Sequence, residues 1–254
     1  MNVLAHALER TIVIRATPEI VFRFFTDAAR WAAWWGVGSS IEARRGGRVL
    51  IRYPDGTEAV GEVEEVVPPE RIVFTYGYVT GRPIPPGASR VTIRLAAHAE
   101  GTRLYLRHEF PDEASRDHHI QGWRYQLSLF ANLVANEVHA GAAEAVDRWF
   151  AAWAIADDHE RDAALATIAS PDVQVRDRFT AIDGVADLSP HIAAALRFMP
   201  GLRMRRNGDV RHCQGTVLAD WIATGADAQP RGRGTSVFAF GFDGRISSVV
   251  GFWT

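Results

Sequence analysis

Two ionisable residues fall where strand periodicity turns them toward apolar neighbours, His108 and Asp177. Along Thr102–Phe110, the residues Leu104, Leu106, His108 and Phe110 share one face, because successive strand side chains point to opposite sides. Imidazole titrates near neutral pH. His108 beside Phe110 therefore reads as a polar anchor or acid–base group of an apolar pocket, or as a hydrogen-bonded core histidine. Val173, Val175 and Asp177 share a face in the same way. A carboxylate facing an apolar interior has its pKa pushed up, which suits a general base or acid. The other reading is a rim aspartate paired with Arg176 or Arg178. Tyr76 lies on the face of Phe74 and Ile72, and Tyr53 on that of Ile51 and Val49. Either phenol reads as a ligand contact or as packing. Trp31, Trp34, Trp35 and Trp123 could build an aromatic wall or a core, since rings give large contact area. In the C-terminal half Trp221 shares a face with Val217, Ala219 and Ala223 and is the expected cavity residue; Asp220 points the other way.

Other chemistries are poorly supplied. His118 and His119, next to Asp117, sit near a helix start. Neighbours on a helix diverge by about 100°, so the pair does not converge on one ion, and solvated histidines are expected there. No metal site and no cofactor is expected. All 28 basic residues are arginine, so no lysine is available as a Schiff-base or amine nucleophile. The single cysteine, Cys213, rules out an internal disulfide or a multi-cysteine metal site. The formal charge of −2 gives no basic field for nucleic acid. The N-terminal residues lack a basic start followed by an apolar stretch, and no apolar run reaches membrane-spanning length. The expectation is a cytoplasmic protein with neither nucleic acid nor membrane as partner.

These side chains have to be positioned by two successive α+β units. A chain of 254 residues with 47% hydrophobic content suits two cores better than one. Strand Glu9–Arg15 comes first, then a helix opened by Thr17 and Pro18, then a short helix over Asp27–Trp35. Period-two segments follow at Ile41–Arg44, Gly47–Tyr53, Glu58–Val67, Arg71–Tyr78, Ser89–Ala97 and Thr102–Phe110. A helix over Ser115–Val138 carries the stripe Ile120, Trp123, Leu127, Phe130, Val134 and Val138. A curved sheet around that helix would keep a cavity between them. The seam falls at 140/141. The second half reads as helices Ala142–Ala156 and Glu160–Ala169, strand Val173–Arg178, and helix Ser189–Met199 with Ser189 as cap and Pro190 first inside. Strands at Leu202–Arg211, Gly215–Ala223, Thr235–Phe242 and Arg245–Trp253 complete it.

Residues 1–140 resemble the START-like superfamily, in the Hsp90-ATPase-activator homologue (SRPBCC) branch. The resemblance rests on Thr17-Pro18-Glu19-Ile20-Val21-Phe22, Trp34-Trp35-Gly36, Gly46-Gly47-Arg48, Asp55-Gly56, Gly61, Val67 to Phe74, Gly101 to Leu104 and Gly122-Trp123. Residues 141–254 resemble the SnoaL-like branch of the NTF2-like superfamily. Here the residues are Trp149-Phe150, Val173 to Asp177, Gly184, His191-Ile192, Trp221, Gly225 and Phe240 to Ile246, ending in Gly251-Phe252. The resemblances imply a helix-grip fold followed by an α+β cone, each around an apolar pocket. Catalytic relatives of the second family place acids in the cone, which fits Asp177. Its steroid-isomerase-like members use a phenol, but all five tyrosines of this chain lie in the first half.

The leading functional reading is a protein for a small hydrophobic or aromatic ligand. Its contacts would be Tyr53, Tyr76, His108, Phe110, Trp123 and Trp221, with cyclase-, isomerase- or hydrolase-like chemistry as an extension. One alternative is a chaperone-associated or regulatory interaction module. Another is an enzyme using the C-terminal cone with Asp177 as general base. Pairing of two cones through their sheets would give a homodimer.

Overall fold

The computed structural model describes residues 4–254, which divide into two compact units, up to Ala135 and from Asn136 onward. That division falls inside a helix, a few residues before the seam read from the sequence.

In the first unit, strand β1 (His6–Ile14) leads into helices α1 (Pro18–Thr26) and α2 (Ala28–Trp35). Pro18 starts α1, where its missing N–H costs nothing, and the Asp27 side chain caps α2 by accepting from the Arg30 N–H. Six strands follow: β2 (Ser40–Ile41), β3 (Arg48–Arg52), β4 (Glu58–Val67), β5 (Arg71–Tyr78), β6 (Ser89–His98) and β7 (Gly101–Phe110). All pair antiparallel in the order β1-β7-β6-β5-β4-β3-β2. Helix α3 (Glu113–Val138) closes the unit. The sheet alternates as read: Leu104, Leu106, His108 and Phe110 are buried, while Arg103, Tyr105, Arg107 and Glu109 face outward, partly or largely exposed.

Gly61 and Gly77 allow close backbone approach. A Cβ at Gly61 would lie 1.7 Å from the Thr75 carbonyl oxygen, and one at Gly77 would lie 1.9 Å from that of Pro85. The strand β5 that carries Tyr76 and Tyr78 therefore runs tight against β4 on one side and the Pro85 loop on the other.

Trp123, Leu127, Phe130 and Val134 of the predicted stripe are buried on α3, but the buried face starts earlier than that stripe. It begins with Ser115, His119 and Trp123, four residues apart, while Ile120 is half-buried. Of the two neighbouring histidines, His118 is exposed and His119 buried. The expectation that both are solvated is corrected: a 100° step puts one on each side of the surface line.

The second unit holds helices α4 (Ala142–Ala152) and α5 (Asp158–Ile168), strands β8 (Ala169–Arg176) and β9 (Ala181–Asp183), helix α6 (Val185–Phe198), and strands β10 (Arg203–Arg206), β11 (Arg211–Cys213), β12 (Thr216–Thr224), β13 (Pro230–Phe240) and β14 (Ile246–Trp253). The sheet runs β10-β12-β13-β14-β8-β9, with β11 also on β12, and β14 and β8 are parallel. Its core joins Val146, Trp149 and Phe150 of α4 to Val217, Phe238, Phe240 and Ile246 of the sheet. Helix α6 starts four residues before the predicted Ser189 cap. Gly184, at φ +94°, makes the entry, and Pro190 lies within the helix. Among the described residues no helix is long and apolar enough to cross a membrane.

Candidate functional site

Between α2, the sheet and α3 of the first unit lies a cavity of about 1150 Å³. Of the residues expected to contact a ligand, Tyr53, Tyr76, His108 and Trp123 line it together, joined by Trp35, Tyr78 and His119. Phe110 is fully buried behind His108, ring to ring at 3.9 Å. Trp34 and Trp31 mainly build the core: the Trp34 indole N–H donates to the Phe24 carbonyl and that of Trp31 to Leu50.

His108 is fixed from both sides. An indole N–H can only donate, so Trp123 Nε1, at 2.9 Å, makes His108 Nδ1 an acceptor. The proton of the neutral ring then sits on Nε2, 2.8 Å from Ser89 Oγ, and the Ser89 hydroxyl donates onward to the Tyr76 carbonyl at 2.9 Å. Burial, assisted by nearby His119, holds the His108 pKa well below the usual histidine value. With both ring nitrogens used and the side chain fully buried, His108 orients Trp123 and the Tyr76 backbone.

His119 is held differently. Its Nδ1 lies 2.7 Å from the Ser115 carbonyl oxygen and therefore donates to it. The lone pair is left on Nε2, 3.3 Å from the Tyr78 hydroxyl. Burial lowers the His119 pKa, offset in part by the bond to Ser115, so at neutral pH this imidazole is a free base. Sequence reasoning missed it by treating the two histidines as a pair. The available signal was the four-residue spacing Ser115–His119–Trp123 on one helix face.

The phenols form the polar end of the cavity. Tyr53 and Tyr76 hydroxyls lie 2.8 Å apart, so one hydrogen joins the pair and the other is free to point elsewhere. Desolvation raises the pKa values of Tyr53, Tyr76 and Tyr78; all three are neutral donors throughout the physiological range. The Trp35 indole N–H is buried with no partner among the described residues, and its ring meets those of Tyr53 and Trp123 at 6.0 and 5.6 Å. A buried donor without an acceptor costs about 1–3 kcal/mol. Aromatic side chains and several neutral donors can hold an apolar molecule by a carbonyl or phenolic oxygen.

The residues singled out in the second unit do not join this cavity. Asp177 lies just past the end of β8, in a turn rather than a strand: its Oδ1 accepts the Phe179 N–H at 2.7 Å, and its backbone bonds to Thr180. A Cβ at Gly251 would come within 3.2 Å of the Asp177 Cβ. Neither Arg176 nor Arg178 pairs with Asp177 in a salt bridge among the described residues; Arg176 instead reaches Asp183 at 2.6 Å. Trp221 is buried and packs edge-on to Trp253 at 4.8 Å. Gly234 makes room for the Trp221 ring, which a Cβ there would meet at 2.7 Å. The indole N–H groups of Trp221 and Trp253 are buried with no partner among the described residues. Among the described residues no group of three or more His, Cys, Asp or Glu could hold a metal ion.

No curated protein matches the chain. Among solved structures, the chain is similar to a protein of the SnoaL-like family from Agrobacterium tumefaciens strain C58, 23% identical over 46% of this chain and 98% of that one, with a TM-score of 0.43. It is also similar to a protein from Chromobacterium violaceum, 28% identical over 50% of this chain and 96% of that one, TM-score 0.43. A third is the Aha1 dimer from Colwellia psychrerythraea, 17% identical over 48% and 90%, TM-score 0.42. The family model described as Activator of Hsp90 ATPase homolog 1-like protein matches residues 15–135. That segment, a little under half of the chain, is therefore similar to proteins of the Activator of Hsp90 ATPase homolog 1-like description.

Proposed function

We propose that the first unit binds a small aromatic or hydrophobic molecule carrying an acceptor oxygen, held in the cavity between sheet and α3. The observation that carries this is the Tyr53–Tyr76 hydroxyl pair in a cavity of about 1150 Å³ that Trp35, Tyr78 and Trp123 also line, Trp35 with an indole N–H that has no partner among the described residues. That volume slightly exceeds the range typical of sites for drug-sized ligands. Asp55, Glu58 and Arg82 also stand in the lining, and the proposed recognition of a carbonyl or phenolic oxygen uses the neutral hydroxyls of Tyr53, Tyr76 and Tyr78. Titration with α-tetralone, an aromatic ketone, and with tetralin, which lacks the oxygen, tests it by calorimetry. The ketone binds about tenfold tighter, the equivalent of one net hydrogen bond, and Trp35→Phe erases the difference. Equal affinities, or no binding of either, refute the reading.

A second copy of the chain is the proposed partner of the second unit. Leu218, Val237 and Val250 stand side by side by strand register on its outer sheet face, with the exposed Phe252 in the next row. Apolar rows of this kind mark association surfaces. Light scattering reports a dimer for the intact chain and a monomer for Val250→Arg. A monomeric wild type removes this reading.

A further inference from the structure

We infer that the cavity of the first unit is an acid–base site for proton transfer at the carbon next to a ketone, with His119 Nε2 as base and the Trp35 N–H and tyrosine hydroxyls stabilising the resulting enolate oxygen. This rests on the binding reading above and adds the reacting groups to it. The geometry supplies each part. Ser115 fixes the His119 ring by its Nδ1–H at 2.7 Å, so the basic nitrogen is the other one. That nitrogen meets only the Tyr78 hydroxyl, at 3.3 Å, a long contact that a competing proton donor displaces. Tyr76 stands against His119 with ring centroids 5.7 Å apart, and its hydroxyl pairs with that of Tyr53. Trp35 stands against Tyr53 and brings an N–H that no group among the described residues accepts. His119, Trp35 and the three tyrosines thus line one cavity, whose wall also carries Trp123 and Tyr125 and the charged side chains of Asp55, Glu58 and Arg82.

The step balances without an added reagent. The carbon–hydrogen bond next to the carbonyl breaks, and its proton goes to His119 Nε2. The bonding pair becomes the carbon–carbon double bond, and the carbonyl π pair moves onto oxygen, where neutral donors hydrogen-bond the charge. The imidazolium then returns the proton to the same carbon, or to a conjugated one, which isomerises the ketone. The groups facing His119 are His118 on its own helix, His108 on β7, and Tyr76 and Tyr78 on β5. None carries a negative charge that would hold His119 protonated at neutral pH. The substrate class is an aromatic or polycyclic ketone with an enolisable position.

The test is hydrogen–deuterium exchange of α-tetralone in heavy water, followed by NMR with the full chain near saturation. Wild type accelerates exchange next to the carbonyl, and His119→Asn lowers the acceleration by about 100-fold or more, as loss of a general base does. Asparagine keeps a donor for Ser115, so calorimetric affinity for the ketone stays within about threefold. The wild-type rate falls on acidification as His119 protonates, and that limb is missing in the variant. Binding without exchange, or exchange equal in wild type and His119→Asn, overturns the proton-transfer inference and leaves the binding reading standing. No binding of the ketone overturns both.

Discussion

Replacing His108 by leucine separates its structural role from an acid–base one. In the wild type the ring accepts from Trp123 and donates to Ser89, at 2.9 and 2.8 Å, in a fully buried position. Leucine is of similar size, so the cost is polar. The Trp123 N–H loses its acceptor, at about 1–3 kcal/mol; Ser89 keeps its bond to the Tyr76 carbonyl and loses less. The sum is about 2–4 kcal/mol, or a fall of roughly 1–2 M in urea midpoint for the first unit at an m-value near 2 kcal/mol/M. Adding Trp123→Phe removes the stranded donor, so the double variant recovers about 1–2 kcal/mol relative to additivity. Stability also depends on pH in a direction that can be worked out. Burial holds His108 and His119 below the unfolded histidine pKa of about 6.5. The unfolded chain therefore binds more protons in acid, and stability is full above about pH 6.5 and lost below it, by up to about 1.4 kcal/mol per pH unit for each histidine. Amide exchange of β6 and β7 measured between about pH 7 and pH 5 follows this locally, and His108→Leu flattens the slope. An unchanged slope together with strictly additive variants refutes the buried neutral relay.

Further perturbations act on other links. Gly61→Ala places a methyl against the Thr75 carbonyl at 1.7 Å; it destabilises the first unit by about 1–3 kcal/mol in urea unfolding, and a neutral effect contradicts the strand packing. Arg161 is almost fully buried and donates to Ser189 and to the Ile155 and Ala156 carbonyls, while also meeting Asp158. Arg161→Met strands these acceptors and lowers second-unit stability by about 2–4 kcal/mol. Asp177→Asn keeps the oxygen that accepts from Phe179, so unfolding midpoints move by less than about 0.5 kcal/mol. Residues 1–140 expressed alone give a dispersed amide spectrum of a folded domain; a collapsed spectrum contradicts the proposed independence of that half.

Much of the first unit was legible because its patterns are local. Period two alone put Leu104, Leu106, His108 and Phe110 inside and the charged residues of β7 outside. What sequence could not deliver is the hydrogen-bond direction at each imidazole. Trp123 and Ser89 lie 15 positions after and 19 before His108 in the chain, and only packing decides that they meet it. His119 was lost to a reading of neighbours as a pair, when the relevant spacing was four. The second unit was less legible at element ends. Gly184 starts α6 through a positive φ, which competed with the stronger-looking Ser189-Pro190 start. Asp177 follows a strand in phase with its valines, but an Asx turn with Phe179 takes over at that point, because aspartate bonds readily to backbone two residues on.

The most direct measurement is the indole region of a nitrogen–proton NMR spectrum during titration with α-tetralone. Eight tryptophans give eight separable probes. The Trp35 N–H has no acceptor among the described residues, whereas the Trp123 N–H already bonds to His108. On saturation the Trp35 signal moves strongly downfield as it gains an acceptor, and the Trp123 signal moves little. A saturating titration that leaves Trp35 in place, or that moves Trp221 and Trp253 instead, contradicts the assignment of the ligand site to the first unit.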